Sequence, residues 1–182
     1  MKVFDRVNEM KFEDAVKGLI AGDFSRLEPL FVDRADADGQ HCRIIDWYEA
    51  NLFAAEPQAL NEALTCACFN GRAKVADYLL ARGVSLAAGD NTGLDALHWA
   101  ENRGQLDVVM LLLDRKASLE TRNMHGTTVL GTAVWSAINE PRNDHVRIIE
   151  ALIKAGALTD DVGYPSGNQG VDEVFRRLDA IS

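Results

Sequence analysis

The chain has 182 residues, 47% of them apolar, which is enough to bury the core of one compact domain or one short repeat array. Its formal net charge of −9 disfavours a nucleic acid as partner, because phosphate binding requires a basic surface. Apolar runs such as Val108 to Leu113 are too short to span a bilayer and the N-terminus lacks the layout of a secretory signal, so we predict a cytoplasmic protein that does not enter a membrane.

The N-terminal third of the chain differs in pattern from the remainder. Residues 1–35 carry small and apolar residues between Phe12 and Phe31 at the spacing of two short helices. In the segment 36–56, apolar residues recur every three to four positions, which predicts an added amphipathic helix over residues 43–54. The apolar stripe consists of Ile44, Ile45, Tyr48 and Leu52. If this stripe is buried the helix is structural, and if it is exposed the helix is a docking surface for a partner.

Three copies of one sequence pattern follow, in the segments 57–89, 90–122 and 123–162. At a spacing of 33 residues the copies align Leu64, Leu97 and Leu130, and likewise Ala67, Ala100 and Ala133. The third copy then slips by seven residues. We predict that the extra residues lie between the two helices of this copy, within Val134 to Asp144, and that Pro141 lies outside any helix interior.

Each copy is predicted to form two short helices that pack against each other. In the middle copy these are residues Leu97 to Arg103 and Leu106 to Asp114, an antiparallel pair. One such pair cannot cover its own apolar surface, so successive pairs must stack. The segment 163–182 contains a turn-rich link and a final helix that covers the open end of the stack. The apolar residues of this final helix are Val171, Val174, Phe175 and Leu178.

The middle copy contains a recognisable signature. Residues Gly93 to Ala100, GLDALHWA, and the following GQLDVVMLLLDRKASLE resemble an ankyrin repeat. Asp95 and Ala96 stand where that family has Thr and Pro, and Asp95 is expected to cap the first helix through its carboxylate. The resemblance implies an all-α ankyrin-repeat helical solenoid with N- and C-terminal capping helices, one domain over residues 1–182. It also implies a hairpin-like finger from Lys116 to Gly126, with negligible strand.

Motifs for catalysis or metal binding are absent from the sequence, so we predict no enzymatic activity, no cofactor and no metal site. Cys66 and Cys68 flank a small residue of a first helix and are predicted to be core cysteines rather than zinc ligands. The odd total of three cysteines suggests no disulfide framework and fits a reducing compartment. His98 occupies the histidine position of the ankyrin signature, and we expect it to form a local hydrogen bond.

The resemblance further implies a concave surface, formed by the finger tips and the exposed side of the first helices, that binds another protein. Large aromatic residues exposed on such a surface are typical binding anchors, and Phe69 and Trp135 are candidates. The alternative for Trp135 is that it packs against the seven-residue insertion, and for Trp99 core packing is expected. The partner-binding residues predicted by position are Phe69, Asn70, Asn91, Thr92, Leu94, Asn102, Arg103, Met124, His125, Thr127, Trp135 and Ser136.

Two hypotheses on function follow. The first is a non-catalytic protein-binding module, a scaffold, adaptor, inhibitor or antidote, that acts as a monomer. Its partner is expected to have a basic surface, because residues 1–62 carry 13 acidic and 7 basic side chains. The second is an ankyrin frame with a small-molecule or catalytic pocket, built from the added helix and the loop insertion, which would require convergent polar groups.

Overall fold

The computed structural model describes residues 10–32, 42–86 and 94–179. Within these ranges the chain forms ten α-helices and two short 3-10 segments, Glu28–Phe31 and Leu52–Ala55. The α-helices are α1 (Phe12–Ile20), α2 (Phe24–Leu27), α3 (Arg43–Glu49), α4 (Pro57–Phe69), α5 (Ala73–Ala81), α6 (Ala96–Asn102), α7 (Leu106–Asp114), α8 (Val129–Asn139), α9 (His145–Lys154) and α10 (Gln169–Asp179).

The helices form two packed layers. The first helices of successive pairs, α1, α4, α6 and α8, contact one another in this order, and the second helices α5, α7 and α9 do the same. The core lies between the layers, where Leu64, Leu97 and Leu130 are at most 2% exposed. Because each pair covers the apolar side of the next, the predicted all-α solenoid is confirmed.

Local chemistry fixes where the helices begin. The carboxylate of Asp95 accepts hydrogen bonds from the backbone N–H groups of Leu97 and His98, both at 3.0 Å. The hydroxyl of Thr128 accepts the N–H of Gly131 at 3.2 Å in the next repeat. Each bond satisfies a donor that the first turn of a helix leaves without an intrahelical acceptor. The predicted capping role of Asp95 is therefore confirmed.

The insertion of the third copy mainly lengthens α8, which has 11 residues where α6 has 7. Gly104, directly after the α6 cap, adopts a positive φ of +69° and reverses the chain. The third copy has buried Ala137 at that register, so its helix continues for another turn. The extra residues lie within the predicted segment, but four of them are helical rather than loop. Pro141 lies outside the helices, as predicted.

The added segment between cap and first repeat differs from its prediction. Helix α3 ends at Glu49 instead of running to residue 54, because Asn51 adopts a left-handed conformation with φ 59°. The turn takes Leu52 off the expected stripe, leaving it 43% exposed, and buries Phe53. Ile44 and Ile45 are buried as expected, so the segment is structural at its N-terminal half.

The two ends of the stack are covered by helices. At the C-terminal end, α10 packs against α9 with Val171, Val174 and Phe175 buried. Its outward residues Glu173 and Arg176 are exposed and charged. This polar outer face is typical of a capping helix in a repeat stack.

The finger of the third copy is shifted along the chain from its prediction. In the described residues, the β content is one isolated antiparallel bridge, between Arg122 and Thr128. Backbone bonds from Asn123 N–H to the Thr127 carbonyl, 3.0 Å, and from Gly126 N–H to the Asn123 carbonyl, 2.8 Å, close its turn. The finger is thus centred on residues 122–128, a few residues beyond the end expected from the sequence.

Candidate functional site

An open groove of about 760 Å³ lies between α8, the finger 122–128 and the loop 161–166. Its floor is formed by one face of α8, and its two walls come from segments on either side of the third repeat in the chain. The lining residues are Leu94, Asn102, Asn123, His125, Thr127, Gly131, Thr132, Val134, Trp135, Ile138, Asp161, Val162, Gly163, Pro165 and Ser166. We call this surface the concave groove.

Two large apolar side chains on the floor of the concave groove are exposed. Trp135 is 51% exposed and Ile138 is 42% exposed. They are three residues apart on α8 and therefore lie on the same face of the helix. An exposed aromatic beside an aliphatic side chain in a concavity is a typical anchor site for a partner.

Hydrogen bonds hold the finger wall of the groove in place. The Asn123 side-chain oxygen accepts the N–H groups of His125 at 2.9 Å and Thr127 at 3.0 Å, and its amide nitrogen donates to Thr132 Oγ1 at 3.2 Å. Arg122 donates to the Gly126 carbonyl at 2.7 Å and forms an ion pair with Asp161. The finger is thereby tied to α8 and to the opposite wall.

The second wall is joined to the C-terminal helix. The Ser166 hydroxyl and backbone N–H both donate to Asp172 at 2.7 Å, and these bonds lower the pKa of the Asp172 carboxyl below its ordinary value. Asn168 donates from its side chain to the Ala137 carbonyl of α8 at 3.2 Å. Because both walls are bonded to helices, the groove is preformed rather than dependent on a partner for its shape.

Five of the residues predicted to bind a partner line the concave groove. They are Leu94, Asn102, His125, Thr127 and Trp135. Met124 lies at the tip of the finger and is 68% exposed. Ser136 is fully buried, and its hydroxyl accepts a hydrogen bond from the Asn102 side chain at 3.0 Å. Asn91 and Thr92 lie outside the described residues.

The expectation that Phe69 is an exposed aromatic is wrong. Its side chain is only 8% exposed, and its ring lies 5.0 Å from that of Trp99 and 5.7 Å from that of Phe24. The ring is covered because the neighbouring helix pairs meet over this position. Asn70, beside it, donates to the Phe24 carbonyl at 3.2 Å and so joins the N-terminal pair to the first repeat. Trp99 packs in this cluster, as expected.

Two sequence predictions on single residues are confirmed by their surroundings. His98 is buried, and its Nδ1 lies 3.0 Å from the Asp95 carboxylate, which is the local hydrogen bond expected of it. Cys66 and Cys68 are fully buried core residues. Burial also raises the pKa of the Cys66 thiol well above its ordinary value, so the reactive thiolate is disfavoured.

Sequence reasoning missed Ile138, Asn123 and the wall 161–166. Ile138 lies one helical turn after Trp135 within the insertion, and this spacing was the available signal. The wall comes from the turn-rich link before the last helix, and no local pattern indicates that this link returns to α8.

The groove offers recognition more readily than chemistry. Its titratable side chains are His125 and Asp161, and the latter is paired with Arg122. Among the described residues, no hydroxyl of the lining is hydrogen-bonded to His125, and no three acidic, histidine or cysteine side chains gather as metal ligands would. No helix of the described ranges has the length and apolarity needed to cross a bilayer.

Stacked helix pairs with a groove across their first helices define a helical repeat protein. The family model for ankyrin repeats matches in three copies, over residues 41–123 and 64–162. This match covers more than half of the sequence, and the chain belongs to the ankyrin-repeat family.

Two curated relatives share this region. The chain is 35% identical over 100 residues to the human ankyrin repeat and KH domain-containing protein 1, and 30% identical over 111 residues to the mouse protein fem-1 homolog A-like. These alignments cover 55% and 61% of the chain but only 4% and 16% of the relatives. The similarity therefore concerns the repeat region, while the relatives are much longer proteins.

Proposed function

We propose that this chain is a non-catalytic module that binds a partner protein in the concave groove. The observation that carries the proposal is the pair Trp135 and Ile138, two large apolar side chains exposed on the floor of a preformed groove. Ankyrin repeats are in general protein interaction modules. Function by association alone is consistent with a scaffold, an adaptor, an inhibitor or an antidote.

The groove and the charge of the chain indicate the chemistry of this partner. Trp135 and Ile138 favour an apolar side chain of the partner at the floor. Asn102 and Thr127 offer polar contacts at the walls. The net charge of −9 favours a partner whose wider surface is basic, since opposite charges raise the rate of association. We propose that the chain binds this partner as a monomer.

A small-molecule ligand is the second candidate for the same groove. Its volume of about 760 Å³ is within the usual range for ligand sites, roughly 300–1,000 Å³. The lengthened α8 lines the groove, but α3, the added helix, contributes no lining residue. A protein partner is favoured because the groove is open and its exposed residues continue onto Met124 at the finger tip.

The Trp135→Ala variant tests the partner-binding role of the groove. We expect it to weaken partner binding by about 2 kcal/mol or more, because a large aromatic anchor would be removed from the centre of the interface. The measurement is affinity capture from native extract with quantitative mass spectrometry, followed by titration of the captured protein. The control is Met110→Ala, which truncates a 45% exposed apolar side chain on α7. Equal losses of capture with both variants, or none with Trp135→Ala, would count against the groove.

A further inference from the structure

Two arginines stand apart in an otherwise well-paired set of charges. Among the arginines of residues 10–32, 42–86 and 94–179, each guanidinium donates a hydrogen bond or forms an ion pair except those of Arg103 and Arg142. Arg72 with Glu28, Arg115 with Asp77 and Arg147 with Asp144 are examples of the paired kind. Two unpaired guanidinium groups are unexpected in a chain with 28 carboxylates.

The two unpaired arginines are neighbours. Arg103 follows α6 directly, and its guanidinium carbon lies 4.6 Å from the centre of the Phe69 ring. Arg142 comes from the loop between α8 and α9 and crosses the backbone of Gly104. A Cβ atom placed on Gly104 would lie 2.9 Å from Cδ of Arg142, so the side chain of Arg142 passes next to Arg103. We call these two residues the arginine pair.

The surroundings of the pair leave its positive charge uncompensated. Arg103 Nε is buried and has no acceptor among the described residues. Burial, and then the nearby charge of Arg142, lower the pKa of the Arg103 guanidinium. Glu140 is the carboxylate that opposes this effect, yet it forms no ion pair with either arginine within the described residues. An anion at this place would relieve the repulsion between the two side chains.

We propose that the arginine pair binds a carboxylate of the partner protein, next to the concave groove. Stacking on Phe69 holds the guanidinium plane of Arg103 and leaves its edge for a planar anion, which arginine binds through two parallel hydrogen bonds. Asn102, the residue before Arg103, lines the groove, so one partner can contact both places. This inference rests on the proposed function and adds a local acidic contact to a partner whose wider surface is basic.

The arginine pair can be tested without knowledge of the partner. The full chain, labelled with nitrogen-15, is titrated with an acetylated and amidated tetraglutamate peptide, and the arginine side-chain N–H signals are followed by NMR. We expect saturable shifts of the Arg103 and Arg142 signals. The signal of Arg176, which is paired with Glu173, should change only with ionic strength. Shifts of all three signals that are equal and do not saturate would overturn the proposal.

Variants and a second probe separate the sources of the anion. Arg142→Met keeps an unbranched apolar side chain over Gly104 and is expected to weaken the peptide by about tenfold or more, as for a lost charge-assisted contact. Arg176→Met should change it by less than about twofold, because exposed ion pairs contribute little. Inorganic phosphate is the comparison probe. Saturation of the arginine pair by phosphate at lower concentration than by the peptide would overturn the carboxylate assignment in favour of a phosphate group.

Partner capture distinguishes failure of this inference from failure of the proposed function. If capture requires Trp135 but is unchanged in Arg142→Met, the carboxylate contact is wrong and the groove stands. If capture is independent of Trp135, the proposed function is wrong, and the peptide titration still tests the arginine pair by itself.

Discussion

Replacing Phe24 by Ala is expected to lower the free energy of unfolding by about 3–5 kcal/mol, the usual cost of truncating a buried aromatic residue. Phe24 is 1% exposed, and its ring lies 5.7 Å from Phe69 and 6.1 Å from Trp99. The variant would leave a cavity where the N-terminal helix pair meets the first two repeats. Urea unfolding of wild type and variant, followed by circular dichroism at 222 nm, measures the difference.

The control for this prediction is Val32→Ala. Val32 lies close to Phe24 in the chain but is 44% exposed, so its truncation should change the free energy of unfolding by no more than about 0.5 kcal/mol. A loss below about 1 kcal/mol for Phe24→Ala would show that the aromatic cluster does not hold the N-terminal pair on the stack.

The second large effect is a gain of stability from Glu101→Val. Glu101 is fully buried in α6, and neither oxygen of its carboxylate has a hydrogen-bond partner among the described residues. The register of 33 residues places buried Cys68 and Val134 at the same position of the neighbouring repeats. Removing an unsatisfied buried group should raise the free energy of unfolding at pH 8 by about 1–3 kcal/mol, as measured by urea unfolding.

The same residue makes stability depend on pH. Burial, and then the charge of Asp95, raise the pKa of the Glu101 carboxyl well above its ordinary value of 4.5. The folded state therefore holds a proton that the unfolded chain releases near pH 4.5. Stability from this residue is fully present below pH 4.5 and is lost as the pH rises toward the raised pKa.

Glu101→Gln isolates this pH dependence, because glutamine has nearly the same shape but does not titrate. The free energy of unfolding of the wild type minus that of Glu101→Gln should fall as the pH rises from 4.5 to 8. A difference that stays constant over this range would show that the carboxyl does not titrate differently in the folded and unfolded states. A rise would contradict the predicted direction of the pKa shift.

The repeats themselves could be predicted from the sequence because their information is local. The apolar spacing that forms each helix recurs at 33 residues, and its leucines Leu64, Leu97 and Leu130 are all buried. Asp95 caps α6 through groups only two and three residues away. The position of the insertion also followed from the register of the third copy.

Tertiary structure decided the features that depend on which segments meet. Phe69 was expected to be exposed, and it is covered because Phe24 and Trp99 arrive from two other helix pairs. The second wall of the groove is a link that no local pattern connects to α8, and it is fixed there by the bond from Asn168 to Ala137. Arg103 and Arg142 likewise meet only because adjacent repeats stack, so their shared charge is a property of the folded chain that neither local sequence contains.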